Sequence, residues 1–592
     1  MENVTLKING ISVTVPKGST ILDAARAAGI RIPTLCFLKE INEIGACRVC
    51  VVELGNGRIV TACVYPAEDG MEVLTNTPRV LDYRKKTIQL LLSNHNRSCL
   101  SCVRSGKCEL QTLSHELGVE DEGYYDGVRT ESEIDNSAPH LYRDNSKCIL
   151  CRRCVAACEA TQGISVIGAN HRGFATTIGS AFEMDLDDTA CINCGQCIAV
   201  CPTGALSEKD DTAKVWDALA DKNKYVCVQT APAVRAALGE EFGMPMGTDV
   251  EGKMAAALRR LGFNAVFDTD FGADLTIVEE ANELLERVKN GGTLPMITSC
   301  SPGWVRFCET YFPQLIPNLS SCKSPQTMQG AIIKSYYLNK VNERRKAAGE
   351  EEIKLEDIVV VSVMPCTAKK FEITRPDECG AGVSDVDVVI TTRELARMIK
   401  RAGLDFVNLP NEGFDDPCGE STGAGVIFGA TGGVMEAALR TAVEWITGET
   451  PGSLEFHDVR GTAGIKEASY SVGGLDVSVA VASGLSNARK LMEMIASGEK
   501  KYTFVEVMAG PGGCVNGGGQ PQVTGEVRNT TEIAKVRAGA LYSNDAAKTL
   551  RQSHKNPSII KLYDEFLGEK GGHKAHELLH TSYEARKINR TM

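Results

Sequence analysis

The chain has 592 residues, 43% of them hydrophobic, with 64 basic and 76 acidic side chains; it is long enough for several domains with buried cores, and its formal charge is -12. That charge argues against nucleic acid as a partner, and the lack of any run of 18 apolar residues argues against membrane insertion. MENVTLKING at the start has neither a basic n-region nor an apolar h-region, so a cytoplasmic location is expected, and there the 23 cysteines should be thiols and metal ligands, not disulfides.

Residues 1–78 begin with alternation in VTLKINGISVTV, where Asn9-Gly10 predicts a hairpin. A helix is predicted over STILDAARAAGI with Ser19 as its N-cap. Cysteines follow at Cys36, Cys47, Cys50 and Cys63, a C-x10-C-x2-C-x12-C spacing. Strand, turn, strand, helix and then a cysteine loop resembles a β-grasp ferredoxin with the plant-type 2Fe-2S arrangement and a lengthened first gap. A zinc site is the competing reading, and the ferredoxin-like order of elements weighs against it.

Residues 79–120 turn helical in RVLDYRKKTIQLLLSNH, which delivers His95 to a loop holding Cys99, Cys102 and Cys108. One imidazole and three thiolates could hold zinc by chemistry alone. The set resembles instead the His-ligated 4Fe-4S site of iron-only hydrogenases and of the large Fe-S subunit of respiratory NADH dehydrogenases. A polar, acidic connection is expected from Asp121 to Asp144.

Residues 139–208 repeat C-x2-C-x2-C-x3-C, first at Cys148, Cys151, Cys154 and Cys158, then at Cys191, Cys194, Cys197 and Cys201 before Pro202. In two-cubane ferredoxins the fourth cysteine of each run reaches the other cluster. Cys148, Cys151, Cys154 and Cys201 are therefore expected to hold one 4Fe-4S cluster, and Cys191, Cys194, Cys197 and Cys158 the other. Eight structural or disulfide cysteines would rarely duplicate this spacing.

Residues 209–592 alternate apolar strands with amphipathic helices, the pattern of an α/β domain with largely parallel sheets. Five strand-like runs, YVCV, LPMI, IVVVSV, SVAVA and TFVEV, lead to QTAP, TSCSPGW, MPCTAKK, SGLSN and MAGPGGCVNGGGQP. Sites in such sheets lie beyond the carboxyl ends of strands, so these loops should converge on one buried pocket. GPGGCVNGGG lacks the G-K-[ST] ending of a P-loop, and its glycines are expected to let backbone approach a bulky cofactor.

TSCSPGW, MPCTAKK with Glu372, and EVMAGPGGCVNGGGQP resemble the three signature loops of FeFe-hydrogenases, and FGATGGVMEAALR (428–440) and the AHELLH segment extend the match across the chain. The resemblance implies an α/β H-domain with a cleft between two sheet lobes and a small-subunit-like tail, for a multidomain α+β and α/β fold overall. It implies an H-cluster, a cubane bridged by one cysteine to a di-iron unit, interconverting H2 with protons and electrons. By position Cys366 and Cys514 match ligands, Cys514 the bridging one. Lys369 matches the residue that bonds a cyanide, and Met364 the one that packs against the di-iron unit. Cys300, Glu280, Ser320 and Glu283 fall at relay positions, Glu280 and Glu283 three apart on one helix; read without the resemblance, the two are a solvated helix face.

Two family ligand positions differ: Cys300 is followed by Ser301, not a second cysteine, and Gly510 replaces the first cysteine of the third loop. A serine alkoxide is a poor iron ligand, and glycine offers none. Cys308, Cys322, Cys379 and Cys418 are unassigned; Cys322 and Cys418 are the better candidates to substitute, although a buried cysteine is usually a small apolar residue. His576, Glu577 and His580 satisfy H-E-x-x-H, which a short motif does by chance, and no zincin site is expected.

The resemblance thus implies the large Fe-S subunit of an NAD(P)-linked, electron-bifurcating type of hydrogenase. It would carry one 2Fe-2S and three 4Fe-4S clusters with an H-cluster or a variant of it. Flavin- and NAD(P)-binding Fe-S subunits, ferredoxin and H2 or protons would be its partners in a hetero-oligomer. The ligand count predicts low or absent H2 turnover. The alternative is a hydrogenase-derived electron-transfer and docking subunit without an H-cluster; an NADH-dehydrogenase subunit would explain residues 1–210 but not the three loops.

Overall fold

The computed structural model describes residues 2–120 and 132–588, so part of the expected acidic connection lies outside the described residues. The chain divides into two units: Met1–Thr189 with Gln196–Ser207 and Gln522–Thr531, and Ala190–Gly195 with Glu208–Pro521 and Glu532–Met592.

The first unit opens with a five-stranded sheet in the order Ile11–Pro16, Asn3–Ile8, Glu72–Leu74, Val51–Leu54, Ile59–Thr61. Asn3–Ile8 pairs antiparallel with the hairpin strand and parallel with Glu72–Leu74, the pairing of a β-grasp. Alternate residues Val4, Leu6 and Ile8 face inward against Ile21, Leu22 and Val52, each buried side chain contributing about 1.5–3 kcal/mol. The helix Ile21–Ala27 is capped by Thr20, not Ser19. Thr20 lies three residues before Asp23, so hydroxyl and carboxylate cap each other's backbone N–H reciprocally. Pro78–Ser93 forms the next helix, with Thr77 as cap and proline in its first turn.

In the second unit the runs YVCV and IVVVSV form the centre of a parallel sheet in the order Ala265–Asp268, Tyr225–Thr230, Ile358–Met364, Val388–Thr391. These strands are buried almost throughout, which is why they read as continuous apolar runs instead of alternating. A second sheet runs Met296–Ile297, Phe504–Met508, Leu475–Ser483, Ile465–Val472, parallel except for the last pair. LPMI contributes only Met296 and Ile297 to it, because the preceding Pro295 has no N–H to offer a ladder. The helix Thr269–Asn290 packs against the helices Pro325–Ile332 and Gly433–Thr447. Its first half is buried on every side, acidic residues included.

Candidate metal centres and proton route

Cys36, Cys47, Cys50 and Cys63 are all buried and gathered. Cys50 and Cys63 sulfurs stand 3.3 Å apart, and Cys36 lies within hydrogen-bond reach of Cys47 and Cys63, which push its thiol down while its partner Cys47 is pushed up. Four thiols sharing protons in one apolar pocket is a donor set that fits a 2Fe-2S cluster.

Cys99 opens a single turn, Cys99–Ser101, and Cys108 caps the helix Glu109–Glu116, so the three cysteines of the His95 loop are set by short local structure. His95 is buried. Gly204 presses on this loop: a Cβ there would lie 2.4 Å from the Cys102 sulfur. One imidazole and three thiolates fit a His-ligated cubane, although the donor set would also suit zinc.

Cys148, Cys151 and Cys201 lie near Cys154 across the repeat, and their charges, with that of Cys197, act on the Cys154 thiol, which burial drives well above its ordinary range. Leu150 and Arg152 take left-handed φ of 54° and 60°, the sharp reversals by which so short a run can turn its sulfurs inward. Beside them Arg153, fully buried, is held by both carboxylate oxygens of Glu109 at 2.8 and 3.1 Å. This set fits a cubane. Of the second set, Cys158 and Cys197 belong to the first unit and Cys191 and Cys194 to the second.

Three loops of the second unit meet through hydrogen bonds. Lys369 Nζ donates to the Cys300 carbonyl at 3.2 Å and pairs with Glu372 at 2.9 Å. Gly519 N donates to the Pro365 carbonyl at 2.8 Å, and Ala509 N donates to Ser301 Oγ at 3.3 Å. Cys300, Cys366 and Cys514 act on one another or on Lys369 electrostatically, and burial pushes all three thiols up, Cys514 to about 12. Met364, the last residue of its strand, is buried in the core of the parallel sheet.

The donors of this pocket do not fit a four-thiolate cubane. Ser301 offers a hydroxyl in place of a thiol and accepts from Ala509 N, and Gly510 has no side chain. The unassigned cysteines have other neighbours: Cys308 donates to Phe312, Cys379 to Pro376, Cys322 faces Glu283, and Cys418 sits in the core of the parallel sheet. Two of the third-loop glycines admit the protein's own backbone at close range. A Cβ at Gly517 would lie 2.3 Å from the Pro365 carbonyl, and one at Gly518 equally close to that of Cys194.

The relay residues stand near one another, although neither buried carboxyl oxygen of Glu280 has a hydrogen-bond partner among the described residues. Glu280 is 1% exposed, which rules out a solvated helix face, and its carboxyl is pushed up to about 8 by burial and by the charge of Glu283. It acts on the Cys300 thiol and lies within reach of Ser320. Ser320 Oγ donates to Glu283 Oε2 at 2.8 Å, and Glu283 pairs with Arg287 at 2.6 Å on the half-buried part of the helix. Thiol, protonated carboxyl, hydroxyl and carboxylate in that order can pass a proton between the pocket and the surface.

Glu506 was not picked out by sequence reasoning, yet it lies under the pocket. Its carboxylate accepts from Gly432 N at 2.6 Å and Met435 N at 2.8 Å at the start of the helix Gly433–Thr447. A lone acid in the apolar run TFVEV is the only signal it leaves. In the H-E-x-x-H segment His576 and Glu577 are exposed, and His580, whose ring lies 4.1 Å from that of His576, follows the helix His573–Leu579 and pairs with Ser321 and Glu279.

The grouped cysteines mark an iron-sulfur oxidoreductase, and comparison with known proteins agrees. Family models match for a 2Fe-2S iron-sulfur cluster binding domain over residues 1–78, the NADH-ubiquinone oxidoreductase-G iron-sulfur binding region over 84–122, and a 4Fe-4S dicluster domain over 147–205. The C-terminal domain of the iron only hydrogenase large subunit matches 224–518, and the iron hydrogenase small subunit 531–586. The NADP-reducing hydrogenase subunit HndD of Solidesulfovibrio fructosivorans is 51% identical over 99% of this chain and 100% of its own. Iron hydrogenase 1 of Clostridium pasteurianum is 45% identical over 98% and 99%. Among solved structures, an apo FeFe-hydrogenase from Chlamydomonas reinhardtii is 44% identical, covers 64% of this chain and all of its own, and superposes with a TM-score of 0.55. The chain belongs to the iron-only hydrogenase family.

Proposed function

We propose that the chain is the electron-relaying, hydrogenase-type subunit of an NAD(P)-linked complex, with one 2Fe-2S and three 4Fe-4S clusters feeding a terminal pocket short of two thiolates. Cys36, Cys47, Cys50 and Cys63 would hold the first cluster, His95, Cys99, Cys102 and Cys108 the second, and the two crossed cysteine sets the twin cubanes. The donor or acceptor outside the chain would be a flavin- and NAD(P)-binding Fe-S subunit or ferredoxin, in a cytoplasmic hetero-oligomer; among the described residues no helix is long and apolar enough to cross a membrane.

In the pocket this chain's residues would do three things. Lys369 and Glu372 would fix charge at one wall, Cys300 would hold a proton, and Glu280, Ser320 and Glu283 would move it to or from the surface. An H-cluster would supply H2 cleavage, but Cys366 and Cys514 are the only ligand-position thiols left for it. The observation that carries this reading is Ser301 Oγ bound to Ala509 N beside a side-chain-free Gly510. H2 turnover is therefore low or absent. The matured protein is tested by counting iron and by infrared bands of CO and cyanide, beside H2 oxidation with an artificial acceptor. The relay clusters alone give about fourteen iron atoms per chain. Robust turnover with those bands overturns the proposal, whereas their absence with a full relay count supports the reading of a docking and electron-transfer subunit.

A further inference from the structure

Among the described residues, one group of metal-ligating side chains is close enough for a single ion: a ligand atom each of Glu283, Cys322 and His580 lie within 4.8 Å of one another. They come from three parts of the second unit. Glu283 is on the long helix Thr269–Asn290, Cys322 is in the loop that carries Ser320, and His580 follows the helix His573–Leu579. A backbone bridge pairs Cys322 with His580, so their proximity is set by main chain and not by two flexible side chains.

The imidazole is also oriented. His580 Nε2 lies 3.1 Å from Glu279 Oε2, and Nδ1 lies 2.8 Å from Ser321 Oγ. Glu279 is buried and fixed in turn by the Tyr563 hydroxyl and by Gly571 N at 3.0 Å. A carboxylate gripping the far nitrogen of a histidine is the outer shell that metal-ligating histidines use. Thiolate, imidazole and carboxylate are together a zinc donor set, with Ser321 or water available for the fourth position.

We propose that Glu283, Cys322 and His580 bind a zinc-class divalent cation at the outer end of the proton series. Zinc bonds of about 2.0–2.3 Å bring the three donors closer than they now stand, so the site contracts by about an ångström on binding. The ion displaces the Cys322 proton to solvent and takes the carboxylate that now accepts from the Ser320 hydroxyl. Proton traffic beyond Ser320 then has no acceptor, which makes the cation an inhibitor of the route and not a catalyst. His576 and Glu577 take no part.

The test is X-ray absorption at the zinc edge on the cluster-loaded full chain after one equivalent of zinc chloride, with no reliance on hydrogen turnover. One sulfur neighbour at about 2.3 Å among lighter atoms is expected, lost in Cys322→Ser. His580→Gln should weaken zinc binding by about tenfold or more, with iron content unchanged. A four-sulfur shell, marking zinc captured by cluster cysteines, overturns the proposal, as does unchanged affinity in the Cys322→Ser, His580→Gln double variant. If Cys322→Ser loses iron through misfolding, the affinity of His580→Gln decides alone.

Discussion

Replacing Glu280 with glutamine removes the one carboxyl of the proton series that is sealed from solvent. Burial, and after it the charge of Glu283, pushes this carboxyl up to about 8, so at neutral pH it is about nine-tenths protonated. A glutamate in the unfolded chain titrates near 4.3. Between about pH 4.5 and about pH 8 the unfolded chain therefore binds fewer protons than the folded one, and stability falls as pH rises. At about 1.4 kcal/mol for each pH unit between the two values, the full loss is on the order of 5 kcal/mol and is complete above about pH 8. Glutamine has the same shape and does not ionise, so Glu280→Gln should be the more stable protein above about pH 5, by a margin that grows to about pH 8 and then stays level. Two assays follow the same group: urea midpoints across pH, and the infrared C=O stretch of a protonated acid in the wild type minus Glu280→Gln difference. Glu283→Gln should move that stretch's titration downward, since it deletes a repelling charge. A difference band already lost near pH 4.5, or a stability margin indifferent to pH, refutes the reasoning.

Arg153→Ala should strand Glu109 in the interior of the first unit at a cost of about 3–5 kcal/mol and reduce occupancy of the cubane beside it, read as iron per chain and unfolding midpoint. Gly204→Ala should lower occupancy of the His95 cluster specifically, because its Cβ would lie 2.4 Å from a sulfur that cluster ligation holds in place; unchanged iron and electron paramagnetic resonance signals would contradict this. Ser301→Cys combined with Gly510→Cys should raise iron by about four atoms per chain. Gly510→Cys alone should do little, since Ser301 still leaves the site one thiolate short.

The candidate ligands were legible because their chemistry is local: C-x2-C spacing brings sulfurs near one another whatever surrounds them, and the charges of Cys148, Cys151, Cys197 and Cys201 all act on Cys154. The strands were legible as apolar runs. Even the helix cap was readable, since Thr20 has Asp23 three residues on, although Ser19 is equally a capping type. What escaped depends on partners far away in the chain. Glu506 finds Gly432 and Met435 some 70 residues earlier, and no spacing rule connects them. The 3.6-residue period puts Glu280 and Glu283 on one face but cannot say that Ser320 covers it. Gly517 and Gly518 signal close approach, and only the fold reveals that the approaching group is main chain.

Ser301 and Gly510 look like two separate losses in the sequence, more than 200 positions apart. In the fold they are neighbours, because the serine hydroxyl accepts from the residue immediately before Gly510. Both missing thiolates therefore belong to one wall of the pocket, while Cys366, Cys514, Lys369 and the whole proton series remain beside it. The altered wall changes which donors face the pocket and leaves the buried Glu280 carboxyl acting on the Cys300 thiol.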